Sequence, residues 1–354
     1  MAIQWFPGHM NVTKKAIAER IKDIDVVIEL LDARLPGSSA NPMLAEMTGH
    51  RRRLKVLNKQ DMADIARTEA WLAHYNALPD TKAIGLDASE PRPAQRLLQA
   101  CRELAPHRSG MTKPLRLMIC GVPNVGKSTL MNTLAGRKAA KTGDEAGVTR
   151  IEQRINLADD VYLFDTPGML WPKIIVEKSG YHLAASGAVG RNAYDEEEVA
   201  LELVNSLKGP YADRLAARFK LADVDTISQR HDEELLEEIG RRRGAVMSGG
   251  RVNMQKASEV VLNDFRDLSL GRITLETPEQ FTTWLAAAQA IEAERQAKKL
   301  ARQKKRKGGA NATTTEQQPL DEDTEDGDTA NVDDADGTHE PGDADRADNP
   351  PGRE

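Results

Sequence analysis

The chain is poor in cysteine, in aromatic side chains and in long apolar runs. Of its 354 residues two are cysteines and 4% are aromatic. Cys101 and Cys120 cannot make a disulfide framework and lack the clustered spacing of a metal site. So few rings leave little material for a surface that reads nucleic acid by base stacking. No apolar run approaches the ~18 residues that a membrane span needs. The opening Met1-Ala-Ile-Gln-Trp-Phe-Pro-Gly-His9 lacks the charged-then-apolar layout of a secretory signal. The expectation is a soluble, cytoplasmic protein with no membrane partner.

Charge is present in both signs but unevenly spread. The 49 basic and 55 acidic residues give a net −6. Gly309–Glu354 holds 15 acidic and 2 basic residues, which leaves 47 basic and 40 acidic before it, a body of +7. A like-charged stretch whose sizeable apolar groups are only Leu320 and Val332 cannot bury enough surface to fold. Residues 308–354 are therefore predicted to be a disordered acidic tail. The remainder suits two domains at ~100–200 residues each.

Short apolar runs bounded by turn residues predict strands at Val26–Leu31, Leu54–Leu57, Lys82–Leu86, Leu115–Cys120, Ile151–Leu157 and Val161–Phe164. Helical patterns lie between several of them, as at Thr68–Asn76 and Ala94–Leu104. Strands alternating with helices predict an α/β fold with a mainly parallel sheet, over residues 1–180. Beyond it the pattern is helical: Asp195–Leu207, Tyr211–Phe219, Asp232–Arg243, Arg251–Asp267 and Pro278–Gln303. Residues 181–307 are accordingly a small all-α domain. Thr277 is the expected N-cap of the last helix and Gly308-Gly309 its expected stop. The end of that helix is basic from Arg295 to Lys307.

Gly121-Val-Pro-Asn-Val-Gly-Lys-Ser128 fits a P-loop and stands between a predicted strand and a predicted helix. In such a loop the N–H groups around Val125, Gly126 and Thr129 close on phosphate oxygens. Lys127 faces the β- and γ-phosphates, and the Ser128 hydroxyl can ligate Mg²⁺. Asn58-Lys59-Gln-Asp61 follows the second strand. A carboxylate there accepts two hydrogen bonds from the N1–H and N2–H₂ of guanine, a pair that adenine does not offer, so Asp61 enforces guanine. The neighbouring Asp-Met-Ala-Asp also reads as a plain helix cap. Asp165-Thr-Pro-Gly168 ends the last strand, 44 residues after the P-loop begins. Asp165 is placed to hold a Mg²⁺-bound water and the Gly168 N–H to meet a γ-phosphate. Thr149, in Ala146-Gly-Val-Thr149, stands where its hydroxyl would complete the Mg²⁺ shell, although loops carry threonines routinely. Asp87-Ala88-Ser89 could offer the Ala88 N–H to the guanine O6, and reads equally as a strand-end turn.

The order of these segments is informative, because those that read guanine (58–61, 87–89) precede those that hold phosphate (121–128, 149, 165–168). Conventional GTPases run the other way, and this order resembles the circularly permuted GTPases. Trp5-Phe-Pro-Gly-His-Met10, Asp32-Ala-Arg-Leu-Pro-Gly-Ser-Ser-Ala-Asn-Pro42, Asn253-Met-Gln-Lys-Ala, Asp264-Phe-Arg266 and Gly271-Arg-Ile-Thr-Leu-Glu276 narrow the resemblance. Together, over about residues 1–280, they are similar to the ribosome biogenesis GTPase A family (YlqF/RbgA), which acts in late assembly of the large ribosomal subunit. Ala146 departs from the proline usual there, which loosens the loop and removes no ligand. The resemblance implies a GTP hydrolase that cycles between GTP and GDP, needs Mg²⁺, acts as a monomer and has the large subunit and its rRNA as partners. Met169 stands where many GTPases place a water-orienting Gln. The family is thought to use the His of Pro-Gly-His instead, here His9, and Asn124 matches an Asn that helps ligate K⁺ in related GTPases. Read without the resemblance, His9 is a solvated histidine and Asn124 a turn residue after Pro123. The +7 body and basic helix suit RNA phosphates, though a solvated helix end would look the same. A nucleotide-gated RNA-binding module with incidental hydrolysis, or a P-loop ATPase with an accidental Asn58–Asp61 match, are the rival readings.

Overall fold

The computed structural model describes residues 3, 9–87, 93–108, 110–135 and 153–310, and Met1–Ala297 and Lys298–Glu354 form separate units. Among the described residues six strands form one sheet: β1 (Val26–Asp32), β2 (Arg52–Asn58), β3 (Thr81–Gly85), β4 (Leu115–Gly121), β5 (Gln153–Ala158) and β6 (Val161–Asp165). The helices are α1 (His9–Arg20), α2 (Pro36–Ser39), α3 (Pro42–Thr48), α4 (Ile65–Asn76), α5 (Pro93–Leu104), α6 (Lys127–Ala135), α7 (Glu177–Ala185), α8 (Glu196–Lys208), α9 (Ala212–Phe219), α10 (Val224–Ile227), α11 (Asp232–Arg242), α12 (Met254–Arg266) and α13 (Pro278–Ala310).

The sheet order is β3-β2-β1-β4-β6-β5, all pairs parallel except β5–β6. The chain starts in the middle at β1, steps out to β3, returns to the middle at β4 and steps out the other way. Neighbouring strands β1 and β4 thus have connections that leave in opposite directions, which opens a crevice beyond their carboxyl ends. This topological switch point fixes where a ligand binds before any side chain is considered.

β1 is buried at every residue, as expected of a central strand covered on both faces. Its charged interruption, Glu29, is matched in register by Lys55 of β2, 2.5 Å away, and accepts the Asn41 N–H at 3.1 Å. Removing one partner of such a buried pair costs about 3–5 kcal/mol because the other charge stays buried. The cap of the last helix is as expected and reciprocal: Thr277 Oγ1 accepts the Gln280 N–H, and Gln280 Oε1 accepts the Thr277 N–H.

Two expectations change. Gly308-Gly309 does not stop α13, which continues to Ala310; a helical glycine costs only about 1 kcal/mol relative to alanine, so a pair weakens a helix end without forbidding it. A helix not foreseen, α1, precedes β1 and buries Met10 and Ile17. The acidic tail from residue 311 lies outside the described residues. Among the described residues no helix is long and apolar enough to cross a membrane.

The helical segment after β6 is tied to the sheet by a strap, residues 273–276. The Ile273 N–H donates to Met62 O, the Leu275 N–H to Arg34 O, and Thr274 Oγ1 to Ala33 O. Glu276, fully buried, accepts from the Ser38 N–H and hydroxyl at 2.6 and 2.5 Å and lies 3.0 Å from His182 Nδ1.

Candidate functional site

The P-loop occupies the crevice. Gly121 ends β4, and Lys127 opens α6. Gly126 has φ +99°, a conformation other residues rarely adopt, and a Cβ there would lie 2.4 Å from Asn58 Nδ2. The loop therefore needs glycine for its shape and for the close approach of Asn58. Asn58 Nδ2 donates to Val125 O at 2.8 Å, and Lys59 Nζ donates to Asn124 O at 3.0 Å. The two sequence segments thus meet as one site, with Asn58 and Lys59 bracing the phosphate loop.

Lys127 is buried, and its ammonium donates to Gly121 O and Val122 O at 3.1 and 2.9 Å. Burial lowers its pKa to about 8, partly offset by Asp165. Ser128 and Thr129 follow it in the first turn of α6, Ser128 half-buried and Thr129 exposed. Gly168 packs against the loop: a Cβ there would lie 2.9 Å from Pro123 Cα and 3.1 Å from Lys127 Nζ. The Met169 N–H donates to Gly121 O at 3.2 Å, and the Met169 side chain is buried.

Asp165 ends β6 with both carboxylate oxygens buried and outside hydrogen-bonding geometry. Burial raises its pKa to about 6, with the Lys127 charge pulling the other way. Among the described residues no three His, Cys, Asp or Glu side chains gather as a metal-binding group. A cation carried in on phosphates needs less from the protein, a hydroxyl and one carboxylate acting through water. The orphaned Asp165 carboxylate fits that need.

Asp61 sits in a short 3₁₀ turn beyond Asn58, half-buried, and burial followed by the neighbouring charge of Asp87 raises its pKa. The helix cap that the same stretch predicts is made by Asp64, which accepts the Arg67 N–H at 3.0 Å. Lys59 adopts φ +61°, and burial lowers its pKa despite Asp32. Asn124 adopts φ +56°, in keeping with a turn residue, and its Nδ2 donates to Gly187 O at 2.8 Å, just past α7. Ala88, Ser89 and Thr149 lie outside the described residues, as does the side chain of His9, which begins α1.

Sequence reasoning used Asp32–Pro42 only as a signature, yet these residues brace the site. Burial works against the Asp32 charge, but Arg34 and Lys59 outweigh it and hold the carboxyl well below the usual carboxylate range. Asp32 Oδ2 lies 2.7 Å from Arg34 Nη2 and 3.0 Å from Lys59 Nζ. Asn41 caps α3 through Oδ1 and donates from Nδ2 to Met169 O at 3.0 Å, so it holds the segment after Gly168. The signal that could have found them is a polar, proline-flanked stretch directly after a strand buried on both faces.

A doubly wound sheet with a P-loop at its switch point, the Asn58–Asp61 loop bonded against that P-loop and a carboxylate at the end of β6 defines a P-loop GTPase whose segments are circularly permuted along the chain. Residues 116–239 match the family described as 50S ribosome-binding GTPase. Ribosome biogenesis GTPase A of Bacillus cereus is 40% identical over 301 residues, covering 82% of this chain and 99% of its own. The protein of the same name from Priestia megaterium is 39% identical over 290 residues, covering 79% and 98%. The solved GNP-bound YlqF from T. maritima has the same fold at a TM-score of 0.55, with 22% identity, over 75% of this chain and 98% of that one. The chain belongs to the ribosome biogenesis GTPase A family.

Proposed function

We propose that this GTPase binds the precursor of the large ribosomal subunit and assists its late assembly, with GTP hydrolysis switching its affinity for the ribosome. The observation that carries the reading is the joined site: Asn58 and Lys59 bonded to the loop that carries Lys127, and Asp165 facing it, in a chain of this family. Residues 1–180 hold the nucleotide, and 181–307, ending in the basic stretch, meet rRNA. The protein works in the cytoplasm as a monomer. Asp61 and, behind it, Ala88 and Ser89 read the base; Val125, Gly126, Lys127, Ser128, Thr129 and Gly168 meet the phosphates. Mg²⁺, held by Ser128, Thr149 and, through water, Asp165, supplies charge neutralisation on the β- and γ-phosphates. Asn124 is the candidate ligand for K⁺.

Coupling follows from the permutation. The segment after Asp165–Gly168 leads directly into α7, and Asn124 of the P-loop is bonded to Gly187 beyond that helix. A loop that answers the γ-phosphate is thus continuous with the partner-facing part. Sedimentation with large subunits in the GTP, GDP and nucleotide-free states, with turnover measured in KCl and in NaCl, tests this. Subunit-stimulated turnover and state-dependent binding are expected; binding blind to nucleotide with unstimulated turnover would favour the incidental-hydrolysis reading. Equal rates in both salts remove K⁺.

His9 orients the attacking water in this reading. Met169, buried and apolar, has no means to do so. Ile3, six residues ahead of His9, is buried, and a Cβ on Gly180 of α7 would lie 3.3 Å from its Cβ, so Ile3 packs against the helix that follows the Asp165 loop. His9→Ala should cut turnover at least about tenfold and leave nucleotide affinity nearly constant. Turnover unchanged with and without large subunits would rule the role out.

A further inference from the structure

The turn between α11 and α12 is built as a short hairpin. The Ala245 N–H donates to Gly240 O at 2.8 Å and closes α11. Val246 and Val252 then pair antiparallel, and the N–H groups of Met247 and Asn253 donate to Arg251 O and Ala245 O, each at 2.8 Å. Gly249 and Gly250 turn the tip with φ +90° and +80°, a region that favours glycine. The base is tightly packed: a Cβ on Gly240 would lie 2.5 Å from Val252 Cγ1 and 2.9 Å from Ala257 Cβ. Asn253 leads directly into α12 and caps it by accepting the Lys256 N–H at 3.0 Å. Beyond the base the packing ends. Val246 and Met247 are 46% and 49% exposed, and a Cβ on Gly249 or Gly250 would meet nothing within 4 Å. The fold thus fixes a ribbon and holds its tip in solvent.

The ribbon is cationic. Residues 239–258 carry Arg241, Arg242, Arg243, Arg251 and Lys256 and no Asp or Glu, in a chain whose acidic residues outnumber its basic ones. Arg241 and Arg242 are each paired one helical turn back, with Glu237 and Glu238. Arg243 and Arg251 are exposed, and among the described residues no ion pair or side-chain hydrogen bond engages either. One stands just before the ribbon and the other on its returning arm. An arginine in that state gives up no partner when it meets a phosphate. The centre of a protein–protein contact is depleted of charge, so this composition fits a polyanion better. Residues 239–258 also hold no aromatic side chain to stack on a base.

We propose that this hairpin docks on the phosphodiester backbone of structured RNA, with Arg243 and Arg251 as its phosphate contacts. The identity of that RNA as large-subunit rRNA rests on the ribosomal reading above. A ribbon fixed before binding loses little conformational freedom on docking, so its two contacts count nearly in full.

The test is binding of the full chain to protein-free large-subunit rRNA and to intact large subunits over a range of salt concentrations. Wild type is compared with Arg251→Lys and with the double variant Arg243→Gln, Arg251→Gln. The double variant should bind rRNA at least about tenfold more weakly at low salt, with a salt slope lower by about 2, one for each lost phosphate contact. Arg251→Lys keeps the charge and should stay within about threefold of wild type. Both arginines are exposed and unpaired, so the variants should melt with the wild type. GTP affinity and intrinsic turnover should not change. The hairpin precedes α12, a helix of 13 residues and about 20 Å, and Arg34 at the end of β1 meets the far end of that helix at Phe265 O. Wild-type affinity and slope for rRNA in the double variant overturn the hairpin assignment. A double variant that keeps rRNA binding and loses only intact subunits also overturns it, in favour of a ribosomal protein as partner. A wild type that binds neither rRNA nor subunits overturns the ribosomal reading itself, so the wild-type curves tell the two failures apart.

Discussion

Asp61→Asn should convert the protein from a binder of guanine nucleotides to a binder of xanthine nucleotides. In the proposed role the Asp61 carboxylate presents two acceptors to two guanine donors, N1–H and N2–H₂. Asn presents one acceptor and one NH₂, and that NH₂ meets the guanine 2-amino group donor to donor. Xanthine carries a carbonyl at C2, so its N1–H and O2 match the Asn pair. Losing a charge-assisted bond and leaving a donor unsatisfied should cost about 3–4 kcal/mol, or roughly 10²–10³-fold in GTP affinity. XTP should gain a similar factor. The fold should tolerate the change, because Asp64 makes the cap of α4 and Asp61 is half-buried in a short turn. Competition of GTP, XTP and ATP against a labelled nucleotide reads the result. Unchanged GTP affinity would mean that Asn58–Asp61 does not read the base.

The chemistry of this protein is legible in its sequence where a function needs contiguous residues. The P-loop is a closed run because its N–H groups must wrap one phosphate chain. Asn58–Asp61 is one because a strand end presents the carboxylate proposed to read the base beside an Asn that reaches Val125. The six strands were legible for a related reason, since central strands buried on both faces leave near-continuous apolar runs such as Val26–Leu31. What stayed hidden is what the fold brings together from afar. That Asn41 would hold the Met169 carbonyl, 128 residues on, follows from α3 and the Asp165 loop converging on one end of the sheet. That Glu276 would be buried beneath Ser38 and His182 follows from the path of the strap. Helix α1 was missed because its apolar positions, Met10 and Ile17, are sparse among polar ones, and only packing on the sheet makes that stripe sufficient.

Permutation gives these distant contacts a purpose. A sheet is defined by spatial neighbours, so moving the chain ends leaves the nucleotide crevice between β1 and β4 intact. It does change what the Asp165 loop is attached to. In this chain the loop is clamped from three sides: Gly168 lies against Lys127, the Met169 N–H is bonded to Gly121 O, and the Met169 carbonyl is held by Asn41. A change at the γ-phosphate therefore has few local routes of relaxation, and α7 with the helices after it is the continuous one.

Asp165→Asn should stabilise the nucleotide-free protein while disabling it. The carboxylate is buried with no hydrogen-bond partner, and burial raises its pKa from 3.8 to about 6. At pH 7 the folded chain thus holds a charge in a place that disfavours it, a penalty of about 3 kcal/mol by linkage. Asn removes that charge but also the partner of Lys127, so the net gain should be nearer 1–2 kcal/mol. The sign of the pH dependence is fixed. Between about pH 4 and pH 6 the folded wild type binds more protons at this carboxyl than the unfolded chain does, so its stability falls as pH rises through that window. The advantage of the variant should therefore be full above pH 6 and vanish near pH 4, as chemical denaturation of both proteins without nucleotide would record. With Mg²⁺ and GTP the order should reverse. In the proposed role the wild-type carboxylate then meets the Mg²⁺ charge and gains ligand-linked stability, while the variant should gain less and its turnover should fall at least about a hundredfold. A nucleotide-free variant no more stable than wild type at pH 7 would show that the Asp165 carboxylate is already compensated within the fold, and its assignment to the cation would lose its physical ground.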